Sequence, residues 1–72
     1  KNYKDKLIKY FQHNFMILPT FCETNIEIIN NKKLFTIIVK KDNQVLGTGQ
    51  SDTKKGAEQV ASENALKYLN AV

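Results

Sequence analysis

Two adjacent lysines at the predicted start of a helix are the residues of this sequence that most directly suggest a chemistry. Lys54 and Lys55 follow Thr53, a residue type that often caps helix N-termini, and a Gly-rich strand end. A helix N-terminus carries unpaired N–H groups and partial positive charge, so most helices place acidic residues there. Two lysines add positive charge instead. The pattern therefore predicts an anion-binding site, and phosphate is the natural anion.

The composition restricts the class of protein and of partner. The chain has 72 residues, 42% of them hydrophobic, which predicts one small packed domain over residues 1–72. Because it does not begin with Met, we expect a fragment of a larger protein. The net charge is +4 and all eleven basic residues are Lys, which favours a polyanion bound through phosphates over one read at its bases. No apolar run approaches the length of a membrane span, so no membrane partner is expected.

Few side chains could hold a metal ion or catalyse a reaction. Cys22 is the single cysteine and His13 the single histidine, which excludes an internal disulfide and argues against a zinc site. A lone cysteine also agrees with a reducing, cytoplasmic location, which we expect. Strand alternation predicts that Glu23 and Glu27 share one face about 13 Å apart, too far for a two-metal site. We therefore expect no catalytic centre and no cofactor in this domain.

Hydrophobic periodicity predicts the order α-β-β-β-α, an α+β fold with a three-stranded antiparallel sheet and both helices packed on one face. The predicted helices cover residues 4–14 and 54–70, the strands cover 21–28, 34–40 and 45–51, and polar turns lie at 30–33 and 41–44. Gly47 and Gly49 are expected to allow another part of the protein to approach the third strand closely. The predicted apolar faces comprise Leu7, Tyr10 and Phe11, then Ile26 and Ile28, then Phe35, Ile37 and Val39, and finally Ala57, Val60, Ala61, Ala65, Tyr68 and Leu69.

The stretch over residues 47–59 and this element order resemble the double-stranded RNA-binding domain over residues 3–70. The residues that carry the resemblance are Gly47, Gly49, Thr53, Lys54, Lys55, Ala57, Glu58 and Gln59. Tyr3 to Gln12 and the Pro19-Thr20-Phe21 strand entry are most similar to the C-terminal domain of ribonuclease III. The resemblance implies a module that binds duplex RNA by shape across minor, major and minor grooves, over about 16 base pairs. It also implies a parent endoribonuclease whose catalytic domain lies outside this chain.

The resemblance implies three regions that contact RNA. In the second helix, Thr53, Lys54 and Lys55 stand where the family places its Ser-Lys-Lys, which reaches phosphates across the major groove. In the first helix, Gln12 matches a minor-groove contact and Lys9 offers a phosphate contact, whereas Asp5 and Ile8 depart from the family's polar residues. In the loop between the first two strands, Asn31 replaces a histidine. The residues beside it that complete this region are Asn30, Lys32 and Lys33.

Two other functions stay open on the sequence. The departures at Asp5, Ile8 and Asn31 allow a protein-interaction or dimerisation module on the same fold, with exposed Ile8 and Ile29 as interface residues. A protein partner or a dimer could also form through the parent protein. A basic module that binds any polyanion is the third possibility. It would bind duplex DNA and duplex RNA equally, since shape and 2′-OH contacts distinguish the two.

Overall fold

The computed structural model describes residues 2–71 and has the predicted element order. The elements are α1 (Tyr3–Asn14), β1 (Thr20–Ile29), β2 (Lys32–Lys41), β3 (Gln44–Ser51) and α2 (Lys54–Tyr68). The strands form one antiparallel sheet in the order β1-β2-β3. The second helix packs on β2 and β3, and the first helix packs against the second. The predicted α+β fold is confirmed, while positions 1 and 72 of the predicted domain lie outside the described residues.

Both strand connections are shorter than the sequence predicts. Only Asn30 and Asn31 separate β1 from β2, and both have positive φ, 50° and 64°. Such a two-residue turn suits the right-handed twist of a hairpin, and Asn is among the few residues that adopt positive φ readily. The four-residue turns predicted at 30–33 and 41–44 are therefore wrong, because the flanking residues of each turn pair in the strand ladder.

An irregularity in β1 decides which of its side chains face the helices. The register with β2 shifts between Glu23 and Asn25, which leaves Thr24 as an extra residue. Directly paired residues of antiparallel strands lie on the same face. Glu23 pairs with Ile37, which is buried beneath α2, so Glu23 lies on the helix-bearing side of the sheet.

The extra residue Thr24 forms a β-bulge. This bulge separates two acids that the sequence predicts to lie on one face. Glu27 pairs with Leu34 and lies on the open side of the sheet, whereas Glu23 lies on the helix side. The prediction of a shared face is wrong because an inserted residue reverses the side-chain alternation beyond it. Ile26 and Ile28 do share a face, as predicted, and it is the helix side.

The core lies between the helices and the sheet in two clusters. Their buried members are Leu7, Phe11, Val39, Leu46, Ala65 and Leu66 in the larger one, and Ile37, Ala57 and Ala61 in the smaller one. The prediction that Val60 and Tyr68 belong to the buried face is wrong, since their residues are 38% and 59% exposed. Tyr68 instead reaches the start of β3, where its hydroxyl accepts a hydrogen bond from the side chain of Gln44 at 2.9 Å.

The backbones of β3 and α2 touch, and glycine makes this possible. A Cβ added to Gly47 would lie 2.5 Å from the carbonyl oxygen of Ala61 and 2.5 Å from the nitrogen of Ala65. A Cβ on Gly49 would collide with the backbone of Ala57 and Ala61. The predicted close approach at the two glycines is confirmed.

We expect Gly49→Ala to destabilise the domain by more than about 2 kcal/mol, because backbone and not a flexible side chain blocks the new methyl group. The sign of the change in stability is informative. At an unobstructed position, Gly→Ala stabilises a protein because it reduces the conformational entropy of the unfolded chain. Urea denaturation followed by circular dichroism measures the difference. Thr48→Ala, at the exposed position between the glycines, is the control and should cost less than about 1 kcal/mol. A neutral or stabilising Gly49→Ala would contradict the close packing.

Candidate nucleic-acid interface

The N-terminus of α2 is capped by a side chain and free of acids. Thr53 has an extended backbone (φ −128°, ψ 151°), and its hydroxyl oxygen accepts a hydrogen bond from the Gly56 N–H at 2.9 Å. No acidic residue lies in the first turn. Lys54 and Lys55 are both exposed there. The first turn therefore combines the positive end of the helix dipole with two ammonium groups, which is a favourable place for phosphate.

The two lysines of this turn differ in their surroundings. The Nζ atom of Lys54 lies 3.1 Å from Oε1 of Glu23, and the Lys54 side chain is 64% exposed. Glu23 can reach it because the bulge leaves Glu23 on the helix side of β1. Lys55 has no ion-pair partner within residues 2–71. Lys55 therefore presents a free charge, whereas Lys54 is held over the first strand.

A glutamine of α2, about one helical turn beyond these lysines, holds the start of α1. Oε1 of Gln59 accepts hydrogen bonds from the backbone N–H groups of Tyr3 at 2.7 Å and Lys4 at 3.4 Å. Its Nε2 donates to Oδ1 of Asn2 at 2.9 Å. These are N–H groups that an isolated helix leaves unpaired. One side chain therefore fixes the position of α1 relative to the first turns of α2.

Lys4 adds a second link at the same place. Its Nζ atom lies 3.0 Å from Oε1 of Glu58 and 5.1 Å from the centre of the Phe21 ring. The contacts of this one residue join α1, α2 and β1. The sequence predicts no contact between elements for Lys4, Gln59 or Glu23. The contacts of Gln59 and Glu23 become recognisable only when the fold brings distant elements together.

The predicted contact residues of α1 lie on one helix face but are not equivalent. Their spacing of three and four residues places Asp5, Ile8, Lys9 and Gln12 together. Lys9 and Gln12 are exposed. The carboxylate of Asp5 accepts a hydrogen bond from the side chain of Asn2 at 2.9 Å, and the Asp5 N–H donates to Oδ1 of Asn2 at 3.1 Å. Asp5 thus helps to cap α1, and Lys9 and Gln12 carry the freely available polar groups.

Ile8 is half-buried, so the prediction that it is exposed is wrong. It lies one turn beyond Lys4, on the flank of α1 between the exposed residues and the buried Leu7 and Phe11. Ile29 is exposed as predicted, at 50%. The pair of isoleucines proposed as a protein interface is therefore reduced to one.

The predicted contact residues between the first strands form a hairpin tip. Asn30 and Asn31 make the turn and are exposed. Lys33 pairs with Ile28 on the helix side of the sheet, whereas Lys32 pairs with Ile29 on the open side, so the two lysines point to opposite faces. Among the described residues, no hydrogen bond or ion pair joins residues 30–33 to either helix. The hairpin tip is therefore a separate arm, with Lys33 on the side of α2.

Other chemistries receive no support from residues 2–71. No group of three or more His, Cys, Asp or Glu side chains is arranged there to hold a metal ion. Cys22 is half-buried and free. No helix in this part of the chain combines the length and apolar character needed to cross a membrane.

Comparison with known families shows what kind of domain this is. The family model described as the double-stranded RNA binding motif matches residues 3–69. The chain belongs to the double-stranded RNA-binding motif family. The predicted resemblance is confirmed, and with it the function of the domain as a module that binds duplex RNA. Because this family is a binding domain, the domain is not an enzyme by itself.

Relatives of the domain share one name. Ribonuclease 3 of Chlorobaculum tepidum is 36% identical over 70 residues, covering 97% of this chain and 26% of the relative. Ribonuclease 3 of Ligilactobacillus salivarius is 36% identical over 66 residues, covering 92% of this chain and 28% of the relative. A protein named probable ribonuclease 3 of Acanthamoeba polyphaga mimivirus is 35% identical and covers 99% of this chain and 14% of the relative. The domain thus spans about a quarter of the length of the first two of these relatives.

We expect Thr53→Ala to destabilise the domain by about 0.5–2 kcal/mol, because it removes the hydroxyl that caps α2. Thr53→Asn is the matched control and should retain most of the stability, since Asn is an equally good cap. Urea denaturation of the three proteins gives the comparison. Equal losses in both variants would show that the cap is not the source of the effect.

Proposed function

We propose that this domain is the substrate-binding module of a ribonuclease III-type endoribonuclease. In this proposal duplex RNA lies along α1, the β1–β2 hairpin tip and the N-terminus of α2. The observation that carries it is the Thr53-capped first turn of α2, which lacks acids and whose two exposed lysines lie about one helical turn before Gln59, the residue that docks α1. The names of the relatives support the assignment to an endoribonuclease.

The lysine pair is proposed to bridge the major groove. That groove is deep and narrow in A-form RNA, so side chains reach its flanking phosphates and not its base edges. Lysine suits this role because its ammonium group is a compact charge that binds phosphate without a fixed planar geometry. Lys54 and Lys55 project from the positive end of α2, which adds to the attraction. Binding in this mode depends on duplex shape and little on sequence.

Two arms are proposed to enter the neighbouring minor grooves. Gln12 and Lys9 on α1 form one arm, because both are exposed on the same helix face. Asn31 and Lys33 form the other, at the hairpin tip and on the helix side of the sheet. The amides of Gln12 and Asn31 can both donate and accept hydrogen bonds, as 2′-hydroxyl recognition requires. These contacts would make the domain prefer RNA to DNA.

A protein-interaction module is the second candidate function. The observation in its favour is the exposure of Ile26 and Ile28, at 46% and 72%, which share the helix side of β1. Sedimentation velocity over a range of concentrations tests self-association. Concentration-dependent dimers that Ile28→Ser weakens, together with weak and salt-insensitive RNA binding, would favour this function over the first.

The central test is the replacement of both lysines at the start of α2. We expect Lys54→Ala/Lys55→Ala to weaken binding to a duplex RNA of about 20 base pairs. The loss should be roughly 100-fold, since each charge-assisted contact contributes about 1.5–3 kcal/mol and one of the lysines must leave Glu23. Fluorescence anisotropy at fixed salt measures the dissociation constants. Matching duplex DNA and single-stranded RNA should bind much more weakly to the unaltered domain.

The matched control is Lys40→Ala/Lys67→Ala, which removes the same charge from the sheet and from the last turn of α2. It should weaken binding far less than the first double variant. Equal losses in the two double variants, or equal affinity for duplex DNA and RNA, would point to a general polyanion binder and overturn the proposal.

A second variant tests the hairpin tip. Asn31→Gly keeps the positive φ of the turn and removes the side chain, so it separates contact from folding. We expect binding to duplex RNA to weaken about 3–10-fold, which corresponds to one lost hydrogen bond. The stability against urea should stay close to that of the unaltered domain. Asn30→Gly serves as the comparison at the same turn, and unchanged binding by Asn31→Gly would exclude Asn31 as a contact.

A further inference from the structure

The ion pair between Lys54 and Glu23 joins the RNA-contacting helix to a strand acid. The two charged atoms lie 3.1 Å apart, and the Glu23 side chain is only 30% exposed. The pairing depends on two structural features. The Thr24 bulge leaves Glu23 on the helix side, and Glu23 is held in the ladder opposite Ile37. The strand ladder therefore holds the backbone of Glu23 close to the start of α2.

Resting on the function proposed above, we propose that Glu23 is an internal competitor of RNA phosphate for Lys54. In the free domain the carboxylate occupies the place of a phosphate oxygen on the ammonium group. Duplex RNA gains the Lys54 contact only by displacing it. Glu23 thereby lowers the affinity for RNA and reduces the effective positive charge of the interface.

Lys4 does not offer Glu23 a free ammonium group. It lies over Phe21, two residues before Glu23. Its Nζ atom is already 3.0 Å from Glu58. When a phosphate displaces Glu23 from Lys54, the carboxylate therefore loses this ion pair and lies beside a polyanion. That state is less favourable than one with a neutral side chain at position 23.

The strength of the pair sets the size of the effect. A partly exposed lysine–carboxylate pair contributes at most about 1 kcal/mol, which corresponds to about a fivefold change in a binding constant. RNA can therefore displace Glu23, and the competition weakens binding without abolishing it. Lys55 has no such competitor within residues 2–71, so its contact with phosphate is formed at full strength.

The experiment is a duplex-RNA titration of Glu23→Gln at several salt concentrations. We expect affinity to rise about 3–5-fold at low salt and this gain to shrink at high salt, which screens the partly exposed Lys54–Glu23 pair. Glu27→Gln is the matched control, because it makes the same charge change on the open side of β1, and its effect should be clearly smaller. Thermal unfolding of both variants checks that the fold is retained.

A Lys54→Ala background distinguishes competition from simple repulsion. The gain from Glu23→Gln should shrink there, because the lysine for which Glu23 competes is absent. A gain of the same size in that background, a Glu23→Gln effect equal to that of Glu27→Gln, or weaker binding by Glu23→Gln would each overturn the inference. Failure of the unaltered domain to prefer duplex RNA would instead overturn the proposed function itself.

Discussion

The contact between the backbones of β3 and α2 is the constraint on which the rest of the domain depends. Gly47 and Gly49 have no side chains, so the alanine row of α2 lies directly on the strand. A small domain has little core volume, and this close approach excludes water along the second helix without large side chains. It also fixes the N-terminus of α2 at the end of β3, only Asp52 and Thr53 away.

The second helix then positions the other parts of the candidate interface. Gln59 pairs with the first N–H groups of α1, and Lys4 returns a contact to Glu58. The exposed face of α1 and the capped start of α2 are thus held in one fixed relation by polar contacts near their N-termini. The hairpin tip differs, because only the strand ladder and the two-residue turn position it.

Acids of this domain pair with several of its lysines. Four lysines form ion pairs with carboxylates within residues 2–71, so the count of eleven lysines overstates the number of ammonium groups free to bind an anion. The pairs differ in location. Lys67 and Glu63 pair within α2, far from its start, whereas Glu23 reaches Lys54 from another element. The number of ammonium groups free to bind an anion therefore depends on where the acids lie as well as on how many lysines there are.

The sequence alone determined the element order, the sheet, the close-packed glycines and the position of Lys54 and Lys55. These features follow from local signals: hydrophobic period, a cap residue and small residues at helical spacing. Only the tertiary structure decided the bulge at Thr24, the pairing of Glu23 with Lys54 and the docking of α1 on Gln59. Each of these depends on strand register or on contacts between residues far apart in the chain. No local pattern encodes such contacts, because a shift of one residue in register reverses which side chains meet.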